Sequence, residues 1–143
     1  MRKNIFRLAI VAGFISTIIS CQKNDETTPS ATTGVLARDK FLGTWHVESH
    51  HRPSNQTLFW DMTIIASTDT SNKSEIFLDN FDQIGTTNFL RANVNSNSFT
   101  VPSQTFSSST YNGSGTYSGG NLSFSYTEFD GQQTDSVTAT AHK

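Results

Sequence analysis

The sequence predicts an all-β domain, an eight-stranded antiparallel up-and-down barrel. Three observations lead to this fold class. Helical periodicity is absent over any window of a dozen residues in the domain, apolar side chains recur at every second position, and turn residues separate the segments that alternate in this way. Eight consecutive strands with short connections suit closure into a small barrel, which removes the edge strands. A β-sandwich is the alternative, because alternation alone does not distinguish the two.

The predicted strands follow one another closely along the chain. They span residues 41–48, 58–65, 75–78, 88–94, 98–101, 111–118, 122–127 and 136–141. Period-2 alternation predicts the side chains that face inward, namely Phe41, Trp45, Val47, Leu58, Trp60, Met62, Ile64, Leu90, Ala92, Val94, Leu122, Phe124, Tyr126, Val137, Ala139 and Ala141.

Turn chemistry marks several of the strand boundaries. Pro102 cannot donate a hydrogen bond to a central ladder, so we expect the fifth strand to end there. Gly113 and Gly115 indicate a bend or bulge in the sixth strand. Residues 119–120 and 130–131 contain glycine between two strand patterns, which predicts two hairpins.

The first twenty residues have the order of a bacterial export signal. Arg2, Lys3 and Arg7 come first, and an uncharged apolar run over residues 8–19 follows. This run is too short to cross a bilayer, which needs about 20 residues in a helix. We therefore predict that residues 1–20 are a signal peptide that is removed.

The single cysteine, Cys21, directly follows this segment and has no intramolecular partner for a disulfide. Residues 18–21, Ile-Ile-Ser-Cys, resemble the lipobox of bacterial lipoproteins, which implies that Cys21 carries a diacylglycerol. Residues 22–26 resemble the short signal that directs lipoproteins of Bacteroidota to the cell surface. We therefore expect an outer-membrane, lipid-anchored protein exposed at the cell surface. The acyl chains would hold it in the membrane, since each buried CH₂ contributes about 0.8 kcal/mol to membrane binding.

The rest of the chain divides into two parts. Residues 21–39 are the predicted lipidated N-terminus and flexible tether, because their polar composition cannot bury enough apolar area to offset the ordering entropy. Residues 40–143 are the predicted β-barrel domain. That length is sufficient for one core without disulfides.

The charge of the mature chain excludes one class of partner. Cleavage before Cys21 leaves seven Lys and Arg against twelve Asp and Glu, a net charge of −5. A protein that binds phosphate backbones needs clustered Lys and Arg, and the mature chain has no such cluster. We expect a monomer that contacts the membrane through its lipid anchor and does not bind nucleic acid.

Residues 41–45, Phe-Leu-Gly-Thr-Trp, resemble the Gly-x-Trp signature that opens lipocalin-type barrels. Most of the domain is similar to small lipocalin-like lipoprotein domains of Bacteroidota. The resemblance implies an up-and-down barrel with a tryptophan at its closed end, but no catalytic residues and no agreed ligand. The chain departs from true lipocalins in lacking their disulfide and the helix before the last strand. The segments that add to the likeness are 92–94, 100–104, 112–116 and 122–127.

Neither a metal site nor catalysis is expected. His46 and His50 share a strand face while His51 points away, whereas a zinc site needs three or four converging ligands, so we expect exposed turn histidines and no cofactor. No serine lies in a Gly-x-Ser-x-Gly elbow, and no spacing forces two carboxylates together, so we expect no enzyme. The carboxylates considered are Asp61, Asp79, Asp82, Glu128 and Asp130.

Aromatic side chains are the richest resource for binding. Trp60, Tyr111, Tyr117 and Tyr126 each combine a flat apolar body with a hydrogen-bonding tip, which makes them the candidate ligand-binding residues. The sequence favours a surface lipoprotein whose barrel binds a small apolar or glycan ligand without catalysis. The alternative is an adhesion or scaffold component whose polar outer face contacts a protein or polysaccharide. An interior without a pocket of about 300 Å³ would favour the alternative.

Cys21→Ser is expected to release the protein from membranes, because the serine hydroxyl cannot replace the thiol that accepts the lipid. The measurement is cell fractionation together with labelling by radioactive palmitate, and Ser30→Ala is the matched control that stays membrane-bound. Absence of label from the wild-type protein would contradict lipidation.

Overall fold

The computed structural model describes residues 34–143, which form a closed barrel of eight antiparallel strands. Each strand pairs with the next along the chain, and the last strand pairs with the first. This topology confirms the predicted up-and-down barrel rather than the sandwich. The strands are β1 (Gly43–Arg52), β2 (Gln56–Ala66), β3 (Glu75–Asp79), β4 (Phe89–Asn95), β5 (Ser98–Phe106), β6 (Ser109–Ser118), β7 (Asn121–Phe129) and β8 (Thr134–His142).

Two short 3₁₀ turns complete the described part of the chain. The N-terminal turn covers Asp39–Phe41, and the second, which we call the plug turn, covers Phe81–Gln83 between β3 and β4. Neither is long or apolar enough to span a membrane. The predicted signal peptide, Cys21 and the part of the predicted tether up to residue 33 lie outside the described residues.

The barrel interior follows the period-2 pattern of the sequence. On β1, β2, β4, β7 and β8, buried residues alternate with exposed or partly exposed ones over most of each strand. All the predicted inward side chains are buried except Leu58, which is partly buried and packs against the core. The alternation therefore predicted which face of each strand the core uses.

Two strands, β1 and β5, extend well past their predicted C-terminal ends. β1 continues to Arg52, so the histidines predicted in a turn belong to a strand. β5 does not end at Pro102 but continues to Phe106, with a register shift between Val101 and Gln104. Pro102 is tolerated because it lies in this bulge, where no ladder hydrogen bond is required of it.

The side chain of Gln104 replaces part of the interrupted ladder beside the bulge. Its Oε1 accepts a hydrogen bond from the Arg91 amide at 3.0 Å, and its Nε2 donates to the Arg91 carbonyl at 2.8 Å. This local pairing explains how the strand passes a proline without leaving the Arg91 backbone groups of β4 unsatisfied.

The closed end of the barrel, where β1 begins, is sealed by Trp45. Its side chain is fully buried, and its indole N–H donates to the Phe41 carbonyl at 2.7 Å. The Lys143 ammonium donates to the Leu42 carbonyl at 2.7 Å and lies 4.7 Å from the centre of the Trp45 ring. Arg38, which the sequence placed in the tether, donates to two carbonyls at this end, so packing begins before residue 40.

Gly115 allows β6 to pack closely over two inward-facing rings. A Cβ added at this position would lie 2.5 Å from the Phe99 ring and 2.6 Å from the Cβ of Phe124, closer than real contacts permit. The predicted bulge in β6 is wrong, because β6 pairs with β7 in an unbroken register and the extra residue lies in β5; Gly115 instead leaves space that the two rings occupy.

Trp45→Ala is expected to lower the free energy of unfolding by about 3–5 kcal/mol, because it leaves a large cavity and an unpaired Phe41 carbonyl. The measurement is urea unfolding followed by circular dichroism. Phe59→Ala is the control: this side chain is 72% exposed, and its loss should change stability by less than about 0.5 kcal/mol. Equal stability of Trp45→Ala and the wild type would refute the buried role of Trp45.

Candidate functional site

Three of the four predicted ligand-binding residues meet inside the barrel mouth, the end at which β1 finishes and β2 begins. Trp60, Tyr111 and Tyr126 are all buried there. Tyr117 is not part of this group. It lies at the closed end, with its ring centre 5.8 Å from that of Phe41 and 6.3 Å from that of Trp45.

Phe81 of the plug turn fills the space between these aromatic side chains. Its ring centre lies 5.9 Å from that of Trp60, 6.2 Å from that of Tyr111 and 4.6 Å from that of Tyr126. Only 1% of Phe81 is exposed. The mouth is therefore occupied by a side chain of the protein itself.

The plug turn reaches the mouth because β3 has only five residues. The chain leaves the barrel wall after Asp79, and two hydrogen bonds of the Asn80 side chain hold it at this point. Its side-chain amide donates to the Asp61 carbonyl at 2.8 Å, and its Oδ1 accepts a hydrogen bond from the Gly85 amide at 3.1 Å. Nothing in the alternation of the sequence points to Phe81 as a core residue, since the turn has no strand period.

A polar cluster surrounds the plug within the mouth. The Asp82 carboxylate, only 5% exposed, accepts a hydrogen bond from the Tyr126 hydroxyl at 2.6 Å and lies 3.5 Å from Nε2 of His51. His51 Nε2 is also 3.3 Å from the Ser49 hydroxyl, which accepts a longer bond of 3.4 Å from the Trp60 indole. Buried polar groups are costly unless they are paired, and these partners supply the pairing.

Burial sets the protonation behaviour of this cluster. The pKa of Asp82 is raised to about 6, chiefly by loss of solvent and to a smaller extent by the nearby Glu128 charge, while the Tyr126 hydrogen bond and the His51 charge oppose the shift. Burial also raises the pKa of Tyr126, and the charge of Asp82 adds to that rise. The pKa of Tyr111 is raised by burial and by its 2.8 Å bond to Glu128. Both tyrosines therefore remain hydrogen-bond donors.

The backbone of the plug turn lies in a region that L-residues rarely adopt. Asn80, Asp82 and Gln83 have φ angles of 54°, 50° and 62°. Such left-handed conformations at non-glycine residues store strain, and they persist where surrounding contacts hold them. Here the held conformation brings the Asp82 side chain into the mouth.

The histidine prediction was partly wrong. His46 and His50 are exposed and share the outer face of β1 as predicted, but His51 faces inward and is buried rather than lying in an exposed turn. The reason is that β1 extends past residue 48, which carries His51 into the barrel. On the outside, His46 Nδ1 lies 2.6 Å from Asp61. In residues 34–143, no group of three His, Cys, Asp or Glu is arranged to hold a metal.

A second candidate site is the outer face of β5 to β8, which we call the hydroxyl face. The carboxylates in these four strands, Glu128 and Asp135, take the inward positions of the alternation. The outward positions in the middle of the hydroxyl face are Ser98, Thr100, Asn112, Ser114, Thr116, Ser123, Ser125, Thr127, Ser136, Thr138 and Thr140, while the exposed Phe129 and His142 lie at its two ends.

Strand register aligns these side chains in rows across the sheet. The central row consists of Thr100, Ser114, Ser125 and Thr138, which are directly paired from one strand to the next. Neighbours in a row are about 4.8 Å apart, and successive rows are about 6.7 Å apart along the strands. The sequence predicted that Ser123, Ser125 and Thr127 would point away from the core, but rows require a register that alternation does not give.

Two adjoining depressions, shallow and open to solvent, lie on the hydroxyl face, and we call them clefts. One has a volume of about 730 Å³ and the other about 560 Å³, and the four residues of the central row line both. Glu48 and His50 of β1 border the larger cleft. A third cleft of about 390 Å³ lies on the outer surface between β1, β2 and β8, beside His46 and Asp61.

Comparison with protein-family models gives no match for this chain, and a search of the curated proteins also finds none. The likeness to lipocalins therefore rests on the eight-stranded antiparallel barrel, which is compatible with that fold. A fold of this kind hosts many functions, so the site has to carry the functional argument.

Asp82→Asn is expected to change how stability depends on pH. Because the pKa of Asp82 is about 6 in the folded protein against an ordinary value of 3.8, the native state binds the proton more tightly. The resulting stabilisation is complete below about pH 4 and is lost as pH rises to about 6 and above. The amide in the variant Asp82→Asn does not ionise, so the variant does not lose this stabilisation. Its free energy of unfolding relative to that of the wild type should therefore rise by up to about 3 kcal/mol between pH 4 and pH 7.

The measurement is urea unfolding of both proteins at pH 4.5, 6 and 7.5. Asp69→Asn is the control, since Asp69 is exposed and its pKa is lowered by hydrogen bonds from Ser71 rather than raised. A stability difference between Asp82→Asn and the wild type that stays constant with pH would contradict the assignment.

Proposed function

We propose that the protein is a non-enzymatic adhesion module that contacts a polysaccharide through its hydroxyl face and is held at the cell surface by a lipid on Cys21. The observation that carries this proposal is the pair of adjoining clefts, whose polar side chains on β5 to β8 are mostly Ser and Thr. These strands bring no formal charge into the clefts, and Glu48 of β1 borders the larger one.

Hydroxyl side chains suit a sugar partner. Each Ser or Thr hydroxyl both donates and accepts hydrogen bonds, as sugar hydroxyls do, so the face can match many orientations of a glycan chain. The side chains are short, so ordering them on contact costs less entropy than ordering Lys or Gln. The rows on β5 to β8 carry no formal charge, and the carboxylate of Glu48 borders the larger cleft, so a neutral polysaccharide is favoured over an acidic one.

A protein partner fits the same face less well. Protein interfaces depend on a few buried anchors, most often Trp, Tyr or Arg. The central row of the hydroxyl face offers none of these, since it consists of Thr100, Ser114, Ser125 and Thr138. A broad, weak and repeated contact is the better match, and many anchored copies on one cell would strengthen it through avidity.

Binding of a small apolar or glycan ligand in the barrel is the second candidate function. The convergence of Trp60, Tyr111 and Tyr126 at the mouth favours it. The ring of Phe81 already fills the space between them, however, and the clefts described above lie on the outer surface. A ligand in the mouth would first have to displace the plug turn, which is why the hydroxyl face ranks higher.

The way the chain enters the barrel is compatible with a surface anchor. Gly34 leads through the N-terminal 3₁₀ turn to the closed end, so a tether would join the barrel opposite its mouth. The resemblance of residues 18–26 to a lipobox followed by a surface signal supports a lipid anchor on this side of the chain, N-terminal to the barrel.

Thr138→Glu is expected to weaken polysaccharide binding by tenfold or more, because it places a larger, charged side chain in the row shared by both clefts, and that carboxylate loses its hydration on contact. The measurement is retention of the purified full-length protein on immobilised neutral polysaccharides, dextran, mannan and starch, with alginate as the acidic comparison. Thr70→Glu is the matched control, because Thr70 is exposed in the β2–β3 connection outside both clefts.

Binding of wild type and Thr70→Glu, with loss in Thr138→Glu, supports the proposal. Equal retention of all three proteins would place binding elsewhere on the molecule. Failure of the wild type to bind any polysaccharide would refute the proposed partner class.

A further inference from the structure

The plug turn closes the barrel mouth with few polar attachments. Phe81 is packed by aromatic rings, whereas the Asp82 side chain is held by the Tyr126 hydroxyl at 2.6 Å and lies 3.5 Å from His51. Three of the four residues from 80 to 83 have positive φ angles, so the turn is strained in its inserted position. The packing of Phe81, the hydrogen bonds of Asn80 and the polar contacts of Asp82 hold this strained turn, and the contacts of Asp82 are the part that ionisation can change.

The groups that face Asp82 come from three strands. His51 lies on β1, Tyr126 and Glu128 lie on β7, and Tyr111 lies on β6. No lysine or arginine is among these charge partners. When Asp82 is ionised, it therefore sits close to a second carboxylate in a site that water barely reaches, and this arrangement favours its return to solvent.

We propose that the plug turn is an acid-latched gate: protonation of Asp82 holds Phe81 in the barrel mouth, and ionisation of Asp82 lets the turn swing outward more readily. The gate acts at the mouth and does not depend on the hydroxyl face. Its opening exposes Trp60, Tyr111 and Tyr126, the aromatic group that the sequence selected for ligand binding.

The sign and size of the effect follow from proton linkage. In the open state Asp82 is in solvent and regains its ordinary pKa of 3.8, whereas in the closed state its pKa is about 6. The closed state is therefore favoured at low pH, and the open population rises by up to about 100-fold as pH increases from below 4 to above 6. Glu128 increases this change and His51 decreases it, in line with their charges.

The two tryptophans provide a readout within one molecule. The Trp60 indole N–H bonds to Ser49 at the mouth, and the Trp45 indole N–H bonds to the Phe41 carbonyl at the closed end. Hydrogen exchange of the two indole protons in the purified full-length protein, measured by NMR and corrected for intrinsic rates, reports local opening at each end. Trp45→Phe assigns the two signals.

Between pH 4.5 and 7.5, we expect protection of the Trp60 indole to fall by at least tenfold while that of Trp45 stays constant. Asp82→Asn should abolish the fall, because an amide keeps the size and the acceptor oxygen but does not ionise. Tyr126→Phe serves as a second variant: it removes a bond that lowers the pKa of Asp82, so the midpoint of the change should move to higher pH.

Three results would overturn the gate. Protection of Trp60 that is independent of pH in the wild type would exclude it. A parallel fall at Trp45 would mean global opening of the barrel. A pH dependence that persists unchanged in Asp82→Asn would assign the effect to another group.

Discussion

Pairing of β8 with β1 is the interaction on which the rest of the structure depends. It joins the two ends of the sheet through a continuous register that includes Val47 with Ala141 and Ser49 with Ala139. Closure leaves no free edge strand, and it makes every side chain either interior or exterior. A slip of one residue at this seam would exchange the two faces, so the apolar content of the inward positions holds the register in place.

Closure also explains why the mouth contains a plug. An eight-stranded barrel has an interior just wide enough for side chains to fill, and a small domain gains stability from packing that interior fully. β3 has only five residues and does not extend the barrel wall as far as the mouth. The chain that follows β3 places Phe81 in the core at that end instead. The same turn brings in Asp82, which is paired with Tyr126 but remains a carboxylate in a poorly solvated place.

The sequence predicted the fold well because its main signal is local. All eight strands were predicted in order, the inward faces of β1, β2, β4, β7 and β8 follow from period-2 alternation, and Trp45 closes one end as the Gly-x-Trp resemblance implies. The prediction failed where distant contacts decide the outcome. Pro102 stays within β5 because Gln104 pairs with the backbone of Arg91, and neither neighbour is evident from a one-dimensional pattern.

The candidate site was less predictable than the fold for the same reason. Trp60, Tyr111 and Tyr126 could be selected by residue type, but their separation from Tyr117 and the insertion of Phe81 depend on how the barrel closes. For the hydroxyl face, the sequence predicted only that Ser and Thr point outward on individual strands. Its central row exists because four strands share one register, a property of the assembled sheet.

The most direct test of this account is the detection of contacts across the β8–β1 seam by nuclear Overhauser effects in solution. The account predicts backbone contacts for the pairs Val47–Ala141, Glu48–Thr140 and Ser49–Ala139, together with those between β7 and β8. Observation of the β7–β8 contacts without any across the seam would mean an open sheet, and it would contradict both the filled interior and the division into inner and outer faces.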